Sequence, residues 1–178
     1  MRTAFLCCAT FALGLFPLPA FAQEAVPLQP TVCSTEQLVR MDRCQLLALY
    51  TNAEPGAVPH GYAPGRAIFN PGSPLTVTRS RLTSHVWQGK VFLDDAHMIN
   101  KVFGHEAVTG AVCFGESWYD GKRSIIIDYT GSWWYAARYR DEFREVAPGI
   151  YLGLTYERRC PQPELKVFFA LDARCGCR

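Results

Sequence analysis

The sequence predicts an all-β fold, a small antiparallel β-barrel preceded by one N-terminal helix. Three observations lead there. A helical apolar period occurs only between residues 33 and 56. From residue 79 onward the period is two, in short runs separated by turn residues. The links between these runs are too short for crossover helices, so neighbouring strands must run antiparallel.

Residues 1–22 read as a signal peptide. Arg2 supplies the positive start, residues 4–18 are apolar, and Ala20-Phe21-Ala22 fits a small-x-small cleavage site, which makes Gln23 the first mature residue. A membrane span needs about 20 apolar residues, and Pro17 and Pro19 interrupt the run. A periplasmic or secreted protein is therefore expected, with no membrane insertion after cleavage. The expected domain division is 1–22 signal peptide, 23–54 lead-in and helix, and 55–178 barrel.

Residues 23–32 hold Pro27 and Pro30 and form an extended lead-in. The helix follows in CSTEQLVRMDRCQLLALYTNAEPG. Ser34 caps it, and Gln37 three residues later completes a capping box. Leu38, Met41 and Leu49 follow one stripe, and Asn52–Gly56 ends it. Residues 55–74, rich in Pro and Gly, predict a wrapping segment with at most one short strand at 66–69.

The strands come next. VWQGKVFL and MINKVFG are candidates. AVTGAVCFGESWY and KRSIIIDYT are joined by Asp120-Gly121, a strong signal for a two-residue hairpin. Simple pairing then sets Trp118 opposite Arg123 and Cys113 opposite Asp128. WYAARYRDEFREV and IYLGLTYERR meet across Ala147-Pro148-Gly149-Ile150. Proline presets the second position of that turn and glycine supplies the positive φ of the third, giving type II. ELKVFFALD is the last strand. About seven or eight consecutive strands of this kind dispose of their edges by closing into a barrel or folding into a sandwich. An aromatic content of 13% suits a small barrel, whose lumen is filled by side chains or by a ligand.

Charge excludes some partners. Without Arg2, the 18 basic residues exceed the 16 acidic ones by one. No basic run is present, so neither nucleic acid nor an anionic membrane is indicated. Of the eight cysteines, Cys7 and Cys8 leave with the signal peptide. Cys33, Cys44, Cys113, Cys160, Cys175 and Cys177 remain. In an oxidising compartment their even number favours disulfides. The expected arrangement ties the termini to the body and leaves Cys113 with Cys160. The pattern has no CxxC, HxH or HExxH, and no metal or cofactor is indicated.

Together GYAPGRAIFNPGS, VWQGKVF, GESWYDGKRSIIIDY, RDEFREVAPGIYLGLTY and FFALD resemble a family of secreted bacterial proteins of unassigned function with a calycin-like look. The likeness spans most of residues 55–172. It implies a small ligand-holding barrel of the lipocalin and fatty-acid-binding class. The chain departs from the lipocalins proper, whose first strand opens Gly-x-Trp. Here Trp87-Gln88-Gly89 runs in the reverse order.

The charged stretch RYRDEFRE at 138–145 is the main candidate site. Simple register across Pro148-Gly149 places Phe143 beside Leu154 and sets Leu152 and Leu154 on its face. That face is then the interior, and it carries Asp141. An inward carboxylate must be paired, so Asp141 is expected buried and bound to an arginine or a tyrosine hydroxyl. Arg140 and Arg144, on the other face, are expected to be more exposed. Asp141, Arg138, Asp128, Tyr151 and Trp134 form the candidate ligand-binding set. The leading expectation is binding of a small apolar or amphipathic molecule in the lumen. The alternatives are a cofactor-free lyase or isomerase using the same cavity, and an envelope scaffold with a filled core.

Overall fold

The computed structural model describes residues 31–176. The signal peptide, most of the lead-in and Cys177 lie outside the described residues. In chain order the elements are α1 (Thr35–Arg40), α2 (Arg43–Asn52), β1 (Gly61–Ile68), α3 (Thr76–Thr83), β2 (Trp87–Phe92), β3 (His97–Val102), β4 (His105–Glu116), β5 (Arg123–Asp128), β6 (Tyr139–Ala147), β7 (Ile150–Glu157) and β8 (Glu164–Asp172). Each strand pairs antiparallel with the next, and β1 pairs with β8, which closes an eight-strand barrel. The all-β class and the meander are as the period-two pattern predicts.

The expected single helix is two helices. The Ser34–Gln37 capping box is present, but a second one, Asp42–Gln45, starts α2 directly after Met41. Asp42 Oδ1 accepts from the Gln45 N–H at 2.9 Å, and Gln45 Oε1 accepts from the Asp42 N–H at 3.0 Å. Residues 55–74 also differ from expectation. They contain the full-length strand β1, and α3 follows. Helix α3 lacks an apolar stripe and a side-chain cap. Tertiary bonds hold it instead: Thr76 Oγ1 donates to the Asn70 carbonyl, and Arg66 Nε donates to the buried Ser80 Oγ. Arg66 also pairs with Glu36 of α1.

Two cores result. Inside the barrel, Phe92, Met98, Ile125, Ile127, Phe143 and Tyr151 pack together with Phe169 and Leu171. Outside it, α1 and α2 lay Leu38, Leu46 and Leu49 over Leu152, Leu154, Phe168 and Ala170. Strand β7 is thus buried on both faces, which is why IYLGLTY reads as one apolar run. Residues 54–60 close one end of the lumen. Glu54 bridges to Glu145, Val58 enters the inner core, and Tyr151 donates to the Ala57 carbonyl at 2.8 Å.

The turn at Pro148-Gly149 forms as predicted, with Gly149 at φ +71° and Ala147 opposite Ile150. A bulge at Val146 then shifts the register by one residue, so Phe143 lies opposite Gly153 and Asp141 opposite Thr155. The Glu145 N–H turns away to the Glu54 carbonyl at 3.0 Å, which accounts for the bulge. Leu152 and Leu154 therefore face outward, beneath the helices, rather than into the lumen. The Asp120-Gly121 hairpin is wider than two residues. Ser117 and Lys122 close it, and Glu116 lies opposite Arg123 and Cys113 opposite Ile126. Asp120 is engaged elsewhere: both its oxygens accept from Arg144, at 2.7 and 2.8 Å.

Arg140 and Arg144 are buried, contrary to expectation. The face that carries them, with Glu142 between, is covered by α2 and the β4–β5 loop. Glu142 accepts from Arg140, Ser117, Tyr50 and the Trp118 N–H. Arg144 stacks on Tyr50 with its guanidinium carbon 4.3 Å from the ring centre. It donates to the Tyr50 carbonyl, Ser124 and Asp120. Burial, followed by the charge of Glu142, pushes the Tyr50 hydroxyl far above its usual pKa. These charges are neither a ligand cradle nor a solvated face. They fasten the helical layer to the barrel.

The side chains of Cys175 and Cys177 lie outside the described residues, and among the four cysteines whose side chains are described no two are within bonding distance. Cys33, Cys44, Cys113 and Cys160 are free and exposed. The expected Cys113–Cys160 bridge is absent. Cys113 points outward from mid-β4, whereas Cys160 lies beyond the end of β7. The two ends of the described stretch approach each other, with Arg174 donating to the Cys33 carbonyl at 3.2 Å.

Candidate functional site

At the end opposite the 54–60 plug, the lumen opens into a cavity of about 440 Å³. Its walls are Ala67, Val102, Val108, Val167 and Phe169, with Phe69, Val86, Trp133, Tyr135 and Tyr139 towards the mouth. Its floor is a buried polar cluster of Lys90, Asn100, Tyr129, Asp141 and Thr155.

Two bulges aim these side chains. Strict alternation puts Trp87 and Lys90 on opposite faces. The register slips between Trp87 and Gly89, so that Trp87, Lys90 and Phe92 all reach the inner layer. Gly89 sits at φ +131°, and a Cβ there would run into the Ala63 carbonyl oxygen, so the position requires glycine. On β4 the register slips again beside Val108, which has φ +66°. Such a conformation costs a β-branched residue on the order of 1–3 kcal/mol. It turns Val108 into the cavity and offers its carbonyl to Asn100 Nδ2 at 3.2 Å.

The floor is saturated with its own bonds. Lys90 Nζ donates to Asp141 Oδ2 at 2.7 Å, to the Tyr129 hydroxyl at 2.8 Å and to Asn100 Oδ1 at 3.1 Å. These use all three ammonium protons. Tyr129 donates to Asp141 Oδ2 at 2.7 Å, and Thr155 donates to Asp141 Oδ1 at 2.6 Å. Trp87 Nε1 donates to Asn100 Oδ1 at 2.9 Å. The ammonium also lies 5.1 Å from the centre of the Phe169 ring and 5.5 Å from that of Trp87. Burial pushes the Lys90 pKa down, against the pull of the Asp141 charge. Burial and then the Asp141 charge push the Tyr129 hydroxyl well up. The cluster therefore holds one positive and one negative charge in contact, shielded from water, beneath an apolar chamber.

Of the five candidate residues, only Asp141 lines this cavity. It is 4% exposed and paired as predicted: Tyr129 supplies the expected tyrosine hydroxyl and Thr155 a second hydroxyl, while the positive charge is Lys90 rather than an arginine. Asp128 faces outward and pairs with Arg158 at 2.9 Å. Arg138 pairs with Glu157 on the outer surface. Tyr151 lies in the lumen but at the plugged end. Trp134 stands 75% exposed on the rim, packed edge-on against Trp133 and Tyr135. Lys90, Asn100, Tyr129 and Thr155 were not foreseen. The signal for two of them was present: a lysine two positions before Phe92, and an asparagine between Met98 and Val102, are lone polar residues on apolar faces.

No protein-family model matches the chain, and no curated protein matches it. A solved structure described as a crystal structure of a protein from Thermomonospora curvata shares the fold. It has 22% identity and a TM-score of 0.51, and the alignment covers 78% of this chain and 97% of that one. This likeness concerns the fold alone.

Proposed function

We propose that the protein is a calycin-like binding protein that takes one small, uncharged, apolar molecule into the open half of its lumen. One observation carries the reading: an apolar chamber of about 440 Å³ lies over a polar floor whose donors and acceptors already satisfy one another. This volume falls within the range of small-molecule sites, roughly 300–1,000 Å³. A carboxylate ligand would have to displace Asp141 from Lys90 to gain a partner. A neutral apolar ligand displaces only water. Selection then rests on shape and apolar contact, with any polar end of an amphipathic ligand left at the mouth.

Titration with N-phenyl-1-naphthylamine, a neutral fluorescent probe, tests this. Saturable binding at one probe per chain is expected, with decanol competing far better than decanoate. Val167→Trp, which fills the chamber, should weaken binding at least tenfold without lowering the melting temperature by more than a few degrees. Binding that is absent, or indifferent to Val167→Trp, defeats the reading.

Acid–base chemistry on the bound molecule is a second reading, favoured by the lowered pKa of Lys90. It requires an amine that a cavity-sized reagent can reach. Reductive methylation with formaldehyde should then modify Lys90 in the folded protein, and an unmodified Lys90 removes the idea.

We also propose export, with cleavage after Ala22. Intact mass of the exported protein should correspond to a chain starting at Gln23. A mass retaining Met1 contradicts the export.

A further inference from the structure

The two ends of the barrel differ in charge. The connections at the open end are residues 69–86, 103–104, 129–138 and 158–163. They contain Arg79, Arg81, Arg138, Arg158 and Arg159, and not one carboxylate. The strand connections at the plugged end are 93–96, 117–122 and 148–149. They carry Asp94, Asp95 and Asp120 against a single basic residue, Lys122. Whole-chain charge, near zero, conceals this polarity. Three of the open-end arginines are partly neutralised, Arg138 and Arg159 by Glu157 and Arg158 by Asp128. Arg79 and Arg81 are exposed on α3 and have no ion pair among the described residues.

The same end displays bare apolar side chains. Trp134 is 75% exposed, Phe103 68% and Leu82 65%, with Trp133, Val86 and Tyr135 beside the cavity mouth. Exposed tryptophan and tyrosine with flanking arginine is the composition that settles at a bilayer interface. The rings occupy the headgroup zone while the guanidinium groups meet anionic lipid, each cation strengthening binding about fivefold. The cavity opens through this surface.

We propose that the open end of the barrel docks peripherally on an anionic lipid bilayer, through Trp134, Leu82 and Phe103 with Arg79 and Arg81, so that the cavity mouth faces the membrane. The inference goes beyond the binding reading and stands without it. A barrel with an unfilled chamber would dock equally well, whatever occupies the chamber.

The test is co-sedimentation of the exported protein with phosphatidylglycerol and with phosphatidylcholine vesicles. Wild type should partition at least tenfold more strongly onto phosphatidylglycerol, and salt should release it. Arg79→Glu with Arg81→Glu should weaken partitioning at least tenfold. Trp134→Ser with Leu82→Ser should weaken it comparably and abolish the blue shift of tryptophan fluorescence on vesicles. Asp94→Ala with Asp95→Ala, at the far end, should not weaken it. The chamber-filling Val167→Trp variant should still partition, which separates failure of docking from failure of ligand binding. All variants share one N-terminus, so any leader contributes equally. Absence of partitioning onto phosphatidylglycerol overturns the proposal, as does partitioning indifferent to both double variants. Self-association in sedimentation velocity that Trp134→Ser with Leu82→Ser abolishes, with no vesicle binding, would assign the face to a second copy of the chain.

Discussion

A lysine ammonium inside a barrel is stable only while its counter-charge stays with it. Asp141→Asn leaves Lys90 buried opposite a neutral amide. It should cost about 3–5 kcal/mol, read as a fall in the denaturant midpoint. Replacing both members, Lys90→Met with Asp141→Leu, removes the stranded charge and should recover most of that loss. If Asp141→Asn unfolds like wild type, the pair is not formed in solution. Arg144 and Arg138 make a second contrast. Arg144 is wholly buried with both oxygens of Asp120 on its guanidinium, and Arg144→Ala should cost about 3–5 kcal/mol. Arg138, half-exposed, should cost less than about 1 kcal/mol when truncated. Asp120 also fixes an acid response. Burial acts to raise its pKa, but the Arg144 bonds and the Lys122 N–H outweigh it and hold the carboxyl below its usual value. A folded-state pKa below the unfolded one gives stability that is complete above about pH 4 and is lost as the pH falls through the folded value. Denaturant midpoints should decline across that window, less steeply in Asp120→Asn. Asp141 was legible in the sequence because alternation ties it to Phe143. Its partner Lys90 was legible only in part, because alternation ties it to Phe92 but the bulge beside Gly89 breaks its tie to Trp87.

Bulges and caps decide the elements. Gly89→Ala would force a Cβ into the Ala63 carbonyl at a positive φ. It should cost at least about 1–3 kcal/mol and weaken the neutral probe, since the same bulge aims Trp87 and Lys90. Unchanged stability would show that β2 can straighten. The bulge at Val146 has the opposite consequence for reading the sequence. The Pro148-Gly149 turn was legible from its residues, yet one extra residue beyond it exchanged the faces of β7 against those of β6. Leu152 and Leu154, taken for lumen, became the seat of the helices. The buried face of Arg140, Glu142 and Arg144 looks solvated on its own strand. Tyr50, some ninety positions earlier, and the β4–β5 loop with Ser117, Trp118 and Asp120 make it an interior. Helix α3 left no period to read, because the bonds that hold it run from Arg66 and Asn70 rather than from an apolar stripe.

At the scale of the molecule, the closed meander was legible because short links permit only antiparallel neighbours. The empty upper lumen was not. Alternation assigns a side chain inward without saying whether its neighbours fill the space. Here Phe92, Phe143, Tyr151 and Phe169 fill the plugged half and stop short of the mouth. Charge at this scale is also a matter of place. Basic and acidic residues nearly balance, yet the strand connections divide them, with arginines in those of the open end and aspartates in those of the plugged end. Because β1 pairs with β8, the ring has no intrinsic first strand. The end of the described chain already touches its start where Arg174 meets the Cys33 carbonyl. A circular permutant that joins these ends and reopens the chain at Phe103-Gly104, a turn where a Cβ on Gly104 would meet no atom within 4 Å, keeps every pairing but the one hairpin it cuts. For this fold, the order in which strands leave the ribosome is a convention of the gene rather than a requirement of the barrel.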